Sequence, residues 1–227
     1  MVGLSPLLYH IDNLLLHLLN CIFLYFICVN LFANKRISLI VVLLFAINPV
    51  HVQTVAKAAE RRGLLMDFFY LTSMLYYIKH IDNKNYKQYF GSLLLFILSL
   101  FSNGRAIPLV LGLLLINYFK GKKLYDKKAI LEILPFLFFS IILGIVNIYA
   151  QKETDYAYKM VGFSFIDYIF IAGNSYVQYI INLLLPFNLT SGYPYPNRIA
   201  GLLPFYYYIY TILCVFILIA FFYFIKK

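Results

Sequence analysis

The sequence predicts an all-α fold: a polytopic helical membrane protein with about seven transmembrane helices, a re-entrant or interfacial segment, and a short extracytoplasmic amphipathic helix. Three observations predict it. Apolar residues fill 63% of the 227 positions and charged residues only 12%, with a mean hydropathy of +0.81, whereas a soluble domain is near half apolar and a quarter charged. The apolar residues gather into eight runs, and the basic residues fall between those runs in a one-sided pattern.

The rest of the composition fits a bilayer. Trp is absent while Tyr and Phe number 22 each, so the aromatic belts at the two interfaces must be built from Tyr and Phe. A net charge of +10 is explained by Lys and Arg gathered in cytoplasmic loops against anionic lipid; the expected partner of that charge is membrane lipid and no nucleic acid. Cys21, Cys28 and Cys214 all lie in apolar runs and are expected to be reduced, packed thiols, with no metal-like spacing. Met1-Val2-Gly3-Leu4 offers neither a basic n-region nor a cleavage site, so no removable signal peptide is expected.

In chain order the runs fall at 9–33, 37–50, 64–79, 90–104, 107–119, 131–150, 168–187 and 202–225, against a yardstick of roughly 20 residues per span. Lys35 and Arg36, then Lys79, Lys84 and Lys87, then Lys120, Lys122, Lys123, Lys127 and Lys128, and finally Lys226 and Lys227 are assigned to the cytoplasm. Lys57, Arg61, Arg62, Arg105, Lys152, Lys159 and Arg198 then lie outside, a bias that obeys the positive-inside rule. The N-terminus is thus extracytoplasmic, and a cytoplasmic C-terminus requires one run not to cross. Run 168–187, interrupted by Gly173-Asn174-Ser175 and closed by Pro186, is the candidate. The stretches Lys79–Tyr89 and Lys120–Lys128 read as solvated loops. Residues 1–227 are expected to form a single membrane domain.

The most polar stretch outside the loops runs from Asn48 to Met66. Asn48-Pro49 ends the second run, since a residue before proline is biased away from helix, and proline suits the first turn of the next helix. Val52, Val55, Ala56 and Ala59 against Gln53, Lys57, Glu60 and Arg61 predict an amphipathic helix of about three turns, after which Gly63 turns the chain into the third span. Lys57, Arg61 and Arg62 present three cations there, and Arg105 adds a fourth from the tight loop Ser102–Pro108. A basic collar on lipid headgroups is one reading. Positive charge on the translocated side opposes the usual bias, and an arginine fork around a phosphate or pyrophosphate is the other.

Carboxylates on that side are few: Asp12, Glu60, Asp67, Glu153, Asp155 and Asp167. Glu60 is expected to pair with Arg61, and Asp67 with Arg62 or Lys57. On the first helix, His10, Asn13, His17 and Asn20 share one face; the stripe serves helix–helix hydrogen bonds or, for His10 and Asp12, a site. Two histidines seven apart lack the third ligand a metal needs, so no metal is assigned; a divalent cation is the one cofactor left open. The loop Leu185–Arg198 carries Tyr193 and Tyr195, whose rings would stack on a sugar or join the interface belt, and Asn188-Leu189-Thr190 spells a glycosylation sequon.

Tyr9 through Asn20, Asn48-Pro49-Val50-His51-Val52 with Glu60-Arg61 and Leu64-Leu65, Ser102 through Pro108, and Tyr193-Pro194-Tyr195-Pro196 occur in one order. In that order the chain resembles the membrane half of the tetratricopeptide-repeat-containing protein O-mannosyltransferase-like family, within the C-type glycosyltransferase superfamily. The resemblance covers nearly the whole chain. It departs where the family has His-Pro for Asn48-Pro49, an acidic residue for Gln53, and Lys for Asn103. A shortened relative is expected, without the first helix and acidic loop and without the repeats.

The resemblance implies transfer of a sugar, mannose in the animal members, from a polyprenyl-phosphate donor to a protein hydroxyl on the non-cytoplasmic side. The implied setting is a bacterial cell membrane, or the endoplasmic reticulum membrane in a eukaryote. Lys57, Arg61, Arg62 and Arg105 would bind the donor phosphate, Asp12 would act as the catalytic base, and His10, His51, Gln53, Tyr193 and Tyr195 would line the substrate path. The expected partners are the lipid-linked sugar, an acceptor protein and a partner subunit supplying the acidic loop. The alternative is a catalytically inactive subunit for binding, transport or assembly of the lipid-linked substrate.

Overall fold

The computed structural model describes residues 6–122, 127–153, 163–186, 189, 196–198 and 202–226, and every regular element among them is a helix. The chain divides into two units, Met1–Thr154 and Asp155–Lys227. The first contains α1 (Pro6–Phe32), α2 (Lys35–Ile47), α3 (Val52–Ala56), α4 (Arg61–Asn83), α5 (Tyr86–Ser102), α6 (Leu109–Phe119) and α7 (Lys127–Glu153); the second contains α8 (Phe165–Leu184) and α9 (Phe205–Lys226). Each apolar run of the sequence became one of the longer helices.

This is a membrane protein with its polarity turned inward. On α2, Leu44 is 62% and Ile47 73% exposed, while Asn13, Ser73, Ser92 and Ser99 are wholly buried. Hydrocarbon is as apolar as leucine, so helices in it associate through close packing of small side chains and hydrogen bonds between helices. The α4–α5 pair follows that rule. Ser73 donates to the Ser92 carbonyl and Ser92 to the Ser73 carbonyl, both at 2.8 Å, and Ser99 donates to the Met66 carbonyl at 3.0 Å. Around them Tyr77, Phe96, Leu109, Leu113 and Phe136 form an apolar core shared by α4 to α7.

Among the described residues two helices, α1 over Leu7–Phe32 and α7 over Lys127–Ala150, are long and apolar enough to cross a membrane, and a third span results if α2 and the bent Pro49–Ala56 stretch count as one. Within the first unit the loops sort to two ends. At one end Lys120 meets Asp82 at 2.9 Å and donates to the Asn30 carbonyl at 3.2 Å, Lys122 meets Glu132 at 3.0 Å, and the Tyr89 hydroxyl donates to the Glu132 carbonyl at 2.9 Å. At the other end Arg61 meets Asp12 and Arg105 meets Glu60.

Four local expectations change. The stretch after Pro49 is not a three-turn helix: 3-10 turns at Pro49–His51 and Ala58–Glu60 flank a five-residue α3, and Lys57 is extended between them (φ −86, ψ 119). Gly63 is not the turn into the third span but a buried residue inside α4, which already starts at Arg61. The Lys79–Tyr89 loop shrinks to Lys84 and Asn85, because Lys84 adopts the left-handed conformation (φ 52) that closes α4 and the Asn85 side chain caps α5. Helix α8 runs unbroken through Gly173-Asn174-Ser175. That glycine serves packing, since a Cβ there would lie 2.9 Å from the Thr211 backbone of α9.

Candidate functional site

The site is built on the broken corner between α2 and α4. Asn48 sits in the extended conformation required before proline (ψ 123) and its side chain accepts from the Val50 amide at 3.0 Å, bending the path by 46°. A helix as short as α3 leaves carbonyls without internal partners. The Asn13 side-chain amide answers one of them, donating to the Val55 carbonyl at 3.2 Å, and also donates to the Lys57 carbonyl just beyond α3 at 3.0 Å, which the Glu60 amide reaches as well at 3.1 Å. Asn20, two turns further along α1, donates to the Leu64 carbonyl at 3.1 Å, and His17 contacts the Ala46 carbonyl at 3.4 Å. The polar stripe of α1 is therefore a brace for the corner.

The brace separates two features. On one side His10, Leu14, His17, Ala46, Asn48, His51 and Val55 border an open cleft of about 380 Å³, in which the His51 ring packs 4.3 Å from Phe45 and 5.6 Å from His17. On the other are two ion pairs: Arg61 with Asp12 at 3.4 Å, and Arg105 with Glu60 at 3.3 Å. Because Glu60 and Arg61 are consecutive, these pairs connect α1, the corner and the Gly104–Ala106 turn. The turn is held by the Asn103 side chain, which accepts from the Arg105 amide at 3.1 Å.

The expected ion pairs are corrected accordingly: Glu60 pairs with Arg105, not Arg61, and Asp67 has no salt bridge to Arg62 or Lys57 among the described residues. Arg105 is the cation whose field reaches Asp67. Lys57 and Arg62 are exposed and make no ion pair among the described residues. Of the expected substrate-lining residues, His10 and His51 border the cleft and Gln53 is half-buried in α3. Tyr193, Tyr195 and the Asn188 sequon lie outside the described residues. Asn13 and Asn20 make the hydrogen bonds to packed segments that their shared face predicts; which carbonyls they reach, on the proline-broken segment and at Leu64 of α4, is what the sequence left open.

In sequence the chain is similar to curated protein O-mannosyl-transferases. It is 37% identical over 76 residues to TMTC3 of Mus musculus, which covers 34% of this chain and 8% of that protein. It is 30% identical over 83 residues to TMTC1 of Homo sapiens, 36% of this chain and 9% of the relative, and 36% identical over 84 residues to tmtc2 of Xenopus laevis, 37% and 10%. Each matched stretch is thus about a tenth of the relative's length. No protein-family profile matches the chain. No solved structure matches it either.

Proposed function

We propose, from the similarity of this chain to the TMTC family of protein O-mannosyl-transferases, that it takes part in glycosyl transfer at the non-cytoplasmic face of its membrane. The donor is a polyprenyl-phosphate sugar, mannose by analogy with the relatives' names, and the acceptor a protein hydroxyl. The membrane is a bacterial cell membrane, or the endoplasmic reticulum if the source is eukaryotic. The chain crosses it about seven times, with the Lys84, Lys120 and Lys122 end cytoplasmic.

In this reading Lys57, Arg61, Arg62 and Arg105 hold the donor phosphate and stabilise it as it leaves. Asp12 accepts the hydroxyl proton, and His10, His51 and Gln53 line the path of the reacting groups. One observation carries the proposal. Arg61 and Arg105, far apart in the chain, come to the same end through ion pairs on adjacent members of the corner.

Arg61→Ala should weaken binding of a polyprenyl-phosphate sugar about tenfold, read by titration of the full chain in nanodiscs; unchanged binding would remove the phosphate site. Asp12→Asn should abolish transfer while binding survives. A second reading is favoured by the engagement of Asp12 with Arg61 and by Gln53 at a position where the resembling family has an acid: a non-catalytic subunit that binds the lipid-linked sugar for a partner chain. For that subunit, neither the native chain nor Asp12→Asn transfers sugar alone, and both bind the donor.

A further inference from the structure

The two arginines of the corner are not idle. Arg61 and Arg105 rest on Asp12 and Glu60 at 3.4 and 3.3 Å, and both arginine side chains are more than half exposed, while Lys57 and Arg62 have no carboxylate partner among the described residues. Pairs this exposed are weakly held, because water screens them and two long side chains must be ordered to form them. A phosphomonoester can replace a carboxylate on an arginine fork, because it offers the same bidentate geometry with three acceptor oxygens and more than one negative charge.

We infer that Arg61 and Arg105 are reserve cations, held by Asp12 and Glu60 until a phosphate displaces those carboxylates, so that the site answers to the ligand's charge. The inference rests on the phosphate-site reading above and adds its regulation. A phosphodiester such as a lipid-phosphate sugar carries one negative charge, which Lys57 and Arg62 meet while Arg61 and Arg105 are shared between it and their carboxylates. A phosphomonoester carries about 1.5 to 2 at neutral pH and justifies drawing the reserve pair away from its carboxylates. Glycosyl transfer converts the first into the second: the anomeric C–O bond breaks with its electron pair left on the phosphate oxygen, and the acceptor oxygen forms the new bond as its proton passes to a carboxylate. The exchange therefore strengthens binding as charge develops, the condition for favouring the transition state over the bound donor, and it frees Asp12 to take that proton. In this role Asp12 and Glu60 act through the arginines as positioning residues, beside any proton transfer by Asp12.

The test uses two probes with the same chain, farnesyl phosphate and its methyl diester, titrated against the full chain in phosphatidylcholine nanodiscs at pH 7.5. The native chain is expected to bind the monoester more tightly. Asp12→Asn, and separately Glu60→Gln, should tighten monoester binding about two- to fivefold by removing the competing carboxylate. The gain from Asp12→Asn should vanish in an Arg61→Gln background. Unchanged or weaker binding in both single variants overturns the inference, as does a gain that persists without Arg61, which is general electrostatics and not exchange. In either case a loss of binding in Arg61→Ala leaves the phosphate-site reading standing. If Arg61→Ala changes neither probe, that reading and this inference fall together.

Discussion

Asn13 shows what a single polar side chain does when it is buried on a helix that faces hydrocarbon. Its amide holds two carbonyls of the broken corner, and the side chain itself is wholly buried between α1 and that corner. Asn13→Ala should cost about 1 kcal/mol and raise hydrogen exchange at the amides of 57–61, whereas Asn30→Ala should be near neutral, because the Asn30 amide makes an exposed hydrogen bond to the Phe26 carbonyl of its own helix. Equal effects of the two substitutions would refute the bracing role. At this scale the polar stripe was legible, since period and residue type suffice to align a face. The partners were not. Glu60 and Arg61 look paired because they are neighbours, yet consecutive residues do not face each other on a helical path, so each charge found a partner more than forty residues away.

At the scale of elements, two glycines that read alike in the sequence have opposite duties. A Cβ at Gly63 meets nothing closer than 3.6 Å, while one at Gly173 meets the α9 backbone at 2.9 Å. Gly63→Ala should be tolerated or stabilise by up to about 1 kcal/mol through helix propensity. Gly173→Ala should destabilise by about 1–3 kcal/mol as α8 and α9 are forced apart; thermal unfolding in detergent checks both, and a harmful Gly63→Ala would restore the hinge. The start of α8 carries a pH dependence of its own. The Ser164 backbone amide, its hydroxyl and Arg198 hold the Asp167 carboxyl below the usual carboxylate range. A lowered carboxylate adds stability that is present above the unfolded value near 3.9 and lost as pH falls through the folded one. Amide shifts of 164–168 should therefore move on acidification below about pH 4, and Asp167→Asn should abolish that transition.

Across the first unit, loops rich in lysine gather at the Asp82–Lys120 end and the unusual cations Arg61 and Arg105 at the other. If the unit spans a bilayer with those ends on opposite sides, Lys84→Cys and Lys57→Cys should react with an impermeant maleimide from opposite faces of sealed vesicles; labelling from the same face would refute the crossing pattern. The sequence by itself determined the helical class, the membrane setting and the approximate place of each long helix, because hydropathy and length are local properties that hydrocarbon imposes directly. Only the tertiary structure decided that the corner after Pro49 is broken and braced by Asn13, that Gly63 is helical and α8 continuous, and that Asp12 and Glu60 hold the two arginines. Those outcomes depend on which carbonyls and charges lie within about 3 Å of each other, and pairing over that distance between remote segments leaves no trace in the local pattern of the chain.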